Sequence, residues 1–296
     1  MISVEHLHKR FGDIAAVSDV SFDIAAGETF GLLGPNGAGK TTTISMMVGV
    51  LAPDSGRVRL DGIDDPTRPA LRRKIGNAPQ ALALYGDLTA AENLAFFGRL
   101  YGLSRARLAA RVAWALELAG LTDRRSHLVK TFSGGMMRRL NLACAVVHDP
   151  PLLLLDEPTV GVDPQSRNQI FDTIEALGRE GRTILYTTHY MEEAQRLCDR
   201  VAILDHGRIL ALDTVDRLIH KHGGKSVIEA ELERPPDPGQ PLPGDLTGTS
   251  LRLETERPLE EIAALADAGV RFLRLEIHRA DLETVFLNLT GRRLRN

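Results

Sequence analysis

The chain alternates short apolar runs with stretches whose apolar residues recur at helical spacing. Residues 28–33 form an apolar run that ends at a glycine, and residues 41–50 then follow a helical pattern. A second apolar run spans residues 152–155, and a third spans residues 183–187 after a helical stretch at 167–178. Apolar strands separated by helices are typical of a parallel sheet covered on both faces. We therefore predict an α/β fold in which a strand, a glycine loop and a helix follow in direct succession.

Three further segments alternate apolar and polar residues. They span residues 3–8, 21–24 and 57–60, and a turn signal at residues 53–56 precedes the last of them. Alternation with a period of two is typical of a strand with one buried face. These segments predict an antiparallel edge added to the parallel sheet.

Helical periodicity dominates the stretch between residues 91 and 120. Ser104 fits an N-cap position, and Gly120 fits a C-terminal stop. We predict a helical subdomain over about residues 90–148.

The composition changes after about residue 224. Residues 234–244 contain five prolines and can form neither a helix nor a central strand. Strand-like and helix-like segments surround this loop, at 227–232, 251–254, 259–268, 271–277 and 282–289. We predict a first domain over residues 1–224 and a small α+β domain over residues 225–296.

The charge and the cysteine content narrow the classes of partner and compartment. The 296 residues include 36 Lys and Arg and 39 Asp and Glu, for a net charge of -3. A nearly neutral chain has no global basic field for nucleic acid, so we expect no nucleic-acid partner. Cys144 and Cys198 cannot form a disulfide framework or a metal cluster, which favours a reducing cytosol. We assign Cys144 to packing.

Membrane insertion is not expected from the hydropathy of the chain. No stretch approaches the roughly 18 apolar residues that a spanning helix needs. The N-terminal residues alternate apolar and polar and lack the continuous apolar core of a signal peptide. We expect a cytoplasmic protein.

Residues 34–41 fit the phosphate-binding loop pattern, in which a glycine is followed by four residues and then by Gly-Lys-Ser/Thr. Glycines let successive backbone N–H groups point at a phosphate, while the following helix presents its positive N-terminus. Lys40 would bridge the β- and γ-phosphates, and the Thr41 hydroxyl would ligate Mg²⁺. The candidate nucleotide-binding residues of this loop are Gly34, Pro35, Asn36, Gly37, Ala38, Gly39, Lys40, Thr41 and Thr42.

Two adjacent carboxylates follow the buried strand at 152–155. An acidic pair after a strand is often only a helix N-terminal signal. With a phosphate loop upstream, however, both features are expected at the carboxyl edge of one sheet. Asp156 would then hold Mg²⁺, and Glu157 would polarise the water that attacks the γ-phosphate.

A third motif identifies a family. It resembles the signature motif of ATP-binding-cassette (ABC) ATPases and reads Phe132-Ser133-Gly134-Gly135-Met136-Met137-Arg138-Arg139. Ser133, Gly134 and Gly135 at a helix start offer a hydroxyl and N–H groups to a γ-phosphate. We assign the arginines at 138 and 139 to solvent.

The resemblance extends over nearly all of residues 1–220. Gln80 resembles the glutamine of the family's Q-loop, where it would act in catalysis and as a Mg²⁺ ligand. Asp163 resembles the D-loop aspartate, and His189 resembles the catalytic switch histidine. Phe11 matches the aromatic A-loop residue that stacks on adenine. Taken alone, Phe11 and His189 could equally be core residues, and Gln80 a surface residue.

Membership of this family implies a P-loop NTPase fold that uses ATP and Mg²⁺. It also implies that two nucleotide-binding subunits pack head to tail, each ATP lying between Lys40 of one and Ser133 of the other. The chain carries one set of motifs, so the resemblance implies a homodimer or a pair with a similar subunit.

The signature and the tail at 282–292 resemble ATPase subunits of bacterial ABC-2 type exporters. This implies a separate integral-membrane permease, docked near Gln80 and residues 84–88, and a peripheral location on the inner face of the cell membrane. Two alternatives remain open: a soluble ABC ATPase that remodels ribosomes or DNA, and the energising subunit of an importer. The C-terminal domain could be a regulatory or dimerising module, or a ligand sensor.

Overall fold

The computed structural model describes residues 2–236 and 242–291. It divides into two compact units, Met1–Val215 and Asp216–Asn296. The domain boundary predicted at residue 224 falls within the second unit. That the two units are domains with separate functions remains a proposal. Residues 237–241 of the proline-rich loop and residue 292 of the tail motif lie outside the described residues.

The first unit contains both types of sheet and most of the helices. Its strands are β1 (Ile2–Phe11), β2 (Ile14–Ile24), β3 (Thr29–Leu33), β4 (Ser55–Leu60), β5 (Ile75–Ala78), β6 (Leu152–Asp156), β7 (Thr183–Thr188), β8 (Arg200–Asp205) and β9 (Arg208–Thr214). Its helices are α1 (Lys40–Met47), α2 (Pro69–Arg72), α3 (Ala90–Leu100), α4 (Arg105–Leu118), α5 (Gly134–Val146), α6 (Pro164–Arg179) and α7 (Met191–Leu197), with 3-10 turns at Thr122–Arg124 and Val129–Thr131.

A six-stranded sheet forms the centre of this unit, in the order β5-β6-β7-β3-β8-β9. All neighbouring pairs are parallel except β8 and β9. Every residue of β3, β6 and β7 is buried, as expected for strands covered on both faces. The α/β prediction is confirmed. Because β3, β6 and β7 are parallel, the residues that follow them meet at one edge.

The three alternating segments pair antiparallel, as predicted. They form a separate three-stranded sheet in the order β2-β1-β4 rather than an edge of the central sheet, whose antiparallel edge strand is β9. Its apolar face, including Val4, Leu7 and Phe22, packs in one core with Phe30 and Leu32 of β3.

Helices α3, α4 and α5 form a helical region with its own core, which includes Leu94, Leu116 and Leu140. Gly102, with φ +83°, separates α3 from α4, and the Ser104 hydroxyl caps α4 as expected. Cys144 is buried in this core, in agreement with the packing role predicted for it.

An electrostatic cluster joins α4 to the segment before β7. The Arg111 guanidinium lies 3.9 Å from the Trp114 ring centroid, and the Arg182 guanidinium lies 5.9 Å from the same centroid. Both arginines approach Asp149, at N···O distances of 3.6 and 2.8 Å. These contacts connect the helical region to the sheet through one aromatic ring and one carboxylate.

The second unit is built on a four-stranded antiparallel sheet. Its elements are α8 (Val215–His222), β10 (Ser226–Leu232), β11 (Asp245–Thr247), β12 (Ser250–Thr255), α9 (Pro258–Asp267), β13 (Phe272–His278) and α10 (Leu282–Thr290). The strand order is β11-β12-β10-β13. Ile228, Leu232, Leu251 and Leu253 form the core of this unit with Leu265 of α9. The α+β expectation for the C-terminal region agrees with this arrangement.

Within the described part of the chain, no helix combines the length and the apolar character that crossing a membrane would require.

One partly buried histidine makes the stability of the first unit sensitive to acid. The rings of His148 and Tyr101 are stacked with their centroids 3.7 Å apart, and His148 Nε2 lies 3.2 Å from the Ile75 carbonyl oxygen. A carbonyl only accepts, so Nε2 donates. Burial lowers the pKa of His148 to about 4. The folded state therefore holds this ring neutral at a pH where the unfolded chain would bind a proton.

We predict that His148→Gln will make the free energy of unfolding less sensitive to acid between about pH 6.5 and pH 4. In the wild type, stability falls as the pH decreases through this window, because the unfolded state binds the proton first. The contribution is at most about 1.4 kcal/mol for each pH unit. Glutamine keeps an N–H donor but does not titrate. Urea denaturation at several pH values measures the difference, and equal slopes for both proteins would contradict the prediction.

Candidate functional site

A cleft of about 390 Å³ opens at the carboxyl edge of the six-stranded sheet. Its lining residues are Phe11, Ala16, Asn36, Gly37, Ala38, Gly39, Lys40, Thr41, Thr42, Gln80 and Glu157. Ala16 is the one member of this set that the sequence motifs do not single out. Phe11 is 50% exposed, so its ring is open to stacking by a planar ligand. The phosphate loop, the aromatic residue, the glutamine and the acidic residue are therefore brought together.

The phosphate loop depends on a glycine at its closing position. Gly39 has φ +104° and precedes the first residue of α1. A Cβ atom at this position would lie 2.4 Å from the Ala16 carbonyl oxygen. No side chain caps the start of α1, so its first N–H groups remain available to an anion.

Lys40 forms a buried ion pair with Glu157. Its Nζ lies 3.0 Å from Glu157 Oε1, and each residue is 4% exposed. The same nitrogen donates to the carbonyl oxygens of Gly34 at 2.7 Å and Pro35 at 3.1 Å. A phosphate oxygen that binds Lys40 must compete with these three acceptors, because the ammonium group has only three donors.

Asp156, at the end of β6, connects β7 and the start of α1 at the edge of the sheet. Its carboxylate accepts from Thr41 Oγ1 at 3.0 Å and from Thr187 Oγ1 at 2.6 Å. Thr187 belongs to β7, which lies between β3 and β6, and no motif points to it. A hydroxyl and a carboxylate in contact are the hard oxygen ligands that Mg²⁺ prefers, so the donor set of Thr41 and Asp156 fits this ion.

Glu157 adopts an unusual backbone conformation, with φ +46°. Its peptide nitrogen donates to Thr187 Oγ1 at 3.1 Å. Gln80 Nε2 donates to its Oε2 at 3.2 Å. Such left-handed non-glycine residues concentrate at functional sites, where the surroundings hold them in place. Backbone and side-chain contacts together position this carboxylate.

His189 also lies against this carboxylate. Its Nδ1 is 3.3 Å from Glu157 Oε2, but the geometry is not that of a hydrogen bond. This buried nitrogen has no hydrogen-bond partner among the described residues. It is therefore available to a ligand.

The signature residues lie away from the cleft lining. Ser133 caps α5, with its Oγ accepting from Met136 N at 3.3 Å, and Asp163 caps α6, accepting from Ser166 N at 2.9 Å. The hydrogen bonds from Ser166 lower the pKa of Asp163. A Cβ atom on Gly135 would lie 2.2 Å from Ser166 Oγ, so the two caps pack in direct contact. The lining of the cleft that contains Lys40 includes none of Ser133, Gly134 and Asp163.

The expectation that Arg138 and Arg139 are solvated is wrong. The Arg138 guanidinium donates to the Gln80 carbonyl oxygen, and that of Arg139 donates to the Ala119 carbonyl oxygen. Burial lowers the pKa of both groups. Ala119 ends α4, where carbonyl groups lack helical partners, and this end faces α5 rather than water. Both arginines therefore have structural roles.

Asn141 completes a clamp on the Q-loop. This buried side chain accepts from Ala83 N at 3.1 Å and donates to the Pro79 carbonyl oxygen at 3.3 Å. With Arg138, it attaches residues 79–83 to the helix that begins at the signature motif. Its sequence signal is a polar residue on an otherwise apolar helical face.

A buried carboxylate behind His189 was missed entirely. Glu193, on α7, is 1% exposed and accepts four hydrogen bonds. The donors are Thr159 Oγ1 at 2.8 Å, Arg167 Nε at 3.0 Å, Tyr186 Oη at 2.8 Å and Thr188 Oγ1 at 2.7 Å. Thr188 directly precedes His189. The cluster therefore fixes the end of β7 that carries the histidine.

Comparison with protein families and relatives agrees with this geometry. Residues 17–160 match the family described as ABC transporter. The chain is 42% identical to the linearmycin resistance ATP-binding protein of Bacillus subtilis, covering 100% of both chains. It is 43% identical to the Nod factor export ATP-binding protein I of Cupriavidus metallidurans, covering 100% of this chain and 99% of the relative. It is 40% identical to the daunorubicin/doxorubicin resistance ATP-binding protein of Streptomyces peucetius, covering 98% and 92%.

Solved structures match about three quarters of the chain. An ATP-binding subunit of an ABC transporter superposes with a TM-score of 0.69 at 32% identity, covering 75% of this chain and 93% of the other. A dimeric ATP-binding cassette bound to ADP and Pi superposes with a TM-score of 0.67 at 27% identity, covering 72% and 98%.

We predict that Glu193→Ala will lower the free energy of unfolding by about 3 kcal/mol or more, since it leaves Arg167 and three hydroxyl groups without their acceptor. The exposed Glu117 of α4 provides the control, and Glu117→Ala is expected to change stability by less than about 0.5 kcal/mol. Urea denaturation measures both values. Equal stabilities for the two variants would contradict the role assigned to the cluster.

Proposed function

The chain belongs to the ABC transporter family, and we propose that it is the ATP-hydrolysing subunit of an ABC-2 type export system that drives a separate membrane permease. The observation that carries this proposal is similarity to export and resistance proteins along the whole chain. The solved cassettes cover about three quarters of the chain, whereas these relatives also cover the second unit. The named relatives favour export over the remodelling of ribosomes or DNA and over import.

The phosphate loop and Lys40 bind the nucleotide phosphates in this proposal. The N–H groups at the start of α1 contact phosphate oxygens, and the Phe11 ring stacks on the adenine. When the γ-phosphate reaches Lys40, it displaces the Glu157 carboxylate from the ion pair. Nucleotide binding thus frees the side chain that the reaction needs.

Thr41, Asp156 and Gln80 would hold Mg²⁺. The contact between Thr41 and Asp156 supports this assignment, and Gln80 reaches the same cleft through Glu157. Bound Mg²⁺ would neutralise charge that develops on the β- and γ-phosphate oxygens. Thr187 keeps the Asp156 carboxylate oriented through its second oxygen.

Glu157 acts as the general base in the proposed reaction. Once separated from Lys40, its carboxylate accepts a proton from the attacking water. Gln80 and His189 both lie against Oε2, which keeps the carboxylate directed at the cleft. When ATP is bound between the two proposed subunits, His189 Nδ1 contacts the γ-phosphate.

Catalysis further requires a second nucleotide-binding subunit. Ser133, Gly134 and Gly135 would contact the nucleotide bound to the partner, with Asp163 at the same interface. Their position outside the cleft of their own chain supports this arrangement. The permease would dock near residues 84–88. The protein would then lie on the inner face of the cell membrane.

A pull-down from detergent-solubilised host membranes tests the transporter assignment. The chain is crosslinked in the presence of ATP, and the proteins that remain attached are identified. A polytopic membrane protein is expected. Recovery of ribosomal or chromosomal proteins without a membrane protein would overturn the assignment.

We predict that Glu157→Gln will retain ATP binding and lose turnover by about 10²- to 10⁴-fold, the usual effect of removing a general base. ATP affinity should be equal to or higher than that of the wild type, because the variant no longer offers Lys40 a competing carboxylate. Equilibrium binding and phosphate release measure the two quantities. Glu117→Gln is the control and should behave like the wild type, whereas unchanged hydrolysis in Glu157→Gln would contradict the role of Glu157.

Mixing two inactive variants tests the head-to-tail arrangement. Lys40→Ala removes a phosphate contact, and Ser133→Asn blocks the signature site while keeping an N-cap residue on α5. Each protein alone has two defective sites in its dimer. We predict that an equal mixture regains part of the ATPase activity, because a mixed dimer contains one site with both residues intact. No recovery on mixing would show that Lys40 and Ser133 do not serve one site from different chains.

A further inference from the structure

The strand β13 lies at the edge of the sheet in the second unit. It pairs with β10 on one side, and no other described strand pairs with it. An open edge presents a row of N–H and C=O groups, and natural proteins either protect such an edge or use it for pairing.

The side chains of β13 alternate between two types from Arg274 to His278, whereas the pairing with β10 is irregular at Leu273. Leu275 and Ile277 lie on one face, opposite Ala230 and Ile228 of the core, and Leu273 is a further apolar residue of the strand. Leu273 is nevertheless 69% exposed, and Leu275 is 38% exposed. The core of the second unit therefore continues to the edge of the sheet and is left uncovered there.

The other face of β13 carries Arg274, Glu276 and His278. Arg274 Nε donates to Glu276 Oε1 at 2.9 Å within the strand. The sequence of the strand thus places opposite charges on the two sides of Leu275.

This arrangement is complementary to itself. If two copies of β13 pair antiparallel about a two-fold axis through Leu275, Arg274 of each copy lies opposite Glu276 of the other. On the apolar face, Leu275 then meets Leu275. Opposite charges and apolar pairs directly across antiparallel strands are stabilising.

Neighbouring registers lack this match. An axis through Arg274 would place two arginines opposite each other, and an axis through Glu276 would do the same with two glutamates, which is unfavourable. A two-fold axis between two successive residues, such as Arg274 and Leu275, would place apolar residues of one copy opposite charged residues of the other. The charge pattern therefore favours the axis through Leu275 over these neighbouring registers.

We propose that β13 pairs with β13 of a second copy of this chain, joining two four-stranded sheets into one eight-stranded sheet. Such an isologous contact lies on a two-fold axis and uses the same surface on both copies. It goes beyond the proposed function, since it involves neither the cleft nor the nucleotide. It also identifies the partner as an identical chain.

A cysteine at the proposed axis tests the contact in the full chain without nucleotide. In Leu275→Cys, a short bismaleimide should link two copies rapidly, because the two thiols face each other. The native Cys144 and Cys198 are buried, and burial raises the pKa of both thiols, so they give little background. Leu259→Cys, at a 64% exposed position on α9, is the matched control and should link slowly. Equal yields at the two positions would overturn the proposal.

Charge exchange tests the register independently of folding. Arg274→Glu and Glu276→Arg should each weaken nucleotide-free dimerisation about ten-fold or more, since each places like charges opposite one another at two symmetric positions. The double variant R274E/E276R restores both pairs and should regain wild-type affinity in sedimentation equilibrium. A double variant as weak as the single ones, a monomeric wild type, or crosslinking of the Leu275→Cys variant only to another polypeptide would each overturn the proposal. ATP turnover is not measured in these experiments, so their outcome is distinguishable from a failure of the proposed function.

Discussion

The buried ion pair between Lys40 and Glu157 is the interaction on which the site depends. Two nearly inaccessible charges are stable together, but the loss of either one would leave the other uncompensated in a medium that penalises it. The pair joins the start of α1 to the end of β6, although β3 and β6 are not neighbours in the sheet. Thr187, on the strand between them, donates to the Asp156 carboxylate and accepts from the Glu157 peptide nitrogen. The edge of the sheet is thereby a single connected network, and in the proposed function a phosphate would enter it by exchange with a carboxylate.

The helical region is tied to this network at the Q-loop. Arg138 and Asn141 belong to the helix that Ser133 caps, and they hold the backbone on both sides of Gln80. Gln80 in turn donates to Glu157. The helix that carries the proposed contact to the partner's nucleotide is thus connected to Glu157, the proposed general base of the same chain, by two hydrogen bonds, from Arg138 to Gln80 and from Gln80 to Glu157. The Glu193 cluster positions His189 in a comparable way, because Thr188, which donates to Glu193, directly precedes it.

Local patterns predicted much of this architecture because they are sufficient to specify it. Buried strands, a glycine loop and an acidic pair have fixed spacings along the chain, and the α/β fold and the antiparallel edge followed from them. Burial of charge could not be predicted in the same way. Arg138, Arg139 and Glu193 have the composition of a solvated surface, and only the neighbouring helix end or the buried hydroxyl groups show otherwise. Thr187 and Asn141 were missed for the same reason, since their partners are distant in sequence.

Trp114 is the one tryptophan of the chain, and it lies where the helical region meets the sheet. Its indole belongs to α4, whereas one of the two guanidinium groups near it belongs to the segment before β7. Any rotation of the helical region relative to the sheet changes the distance between Arg182 and this ring, and with it the field at the indole. The protein therefore carries an intrinsic fluorophore between its helical region and the segment before β7, and its emission is sensitive to a change in the contact with Arg182.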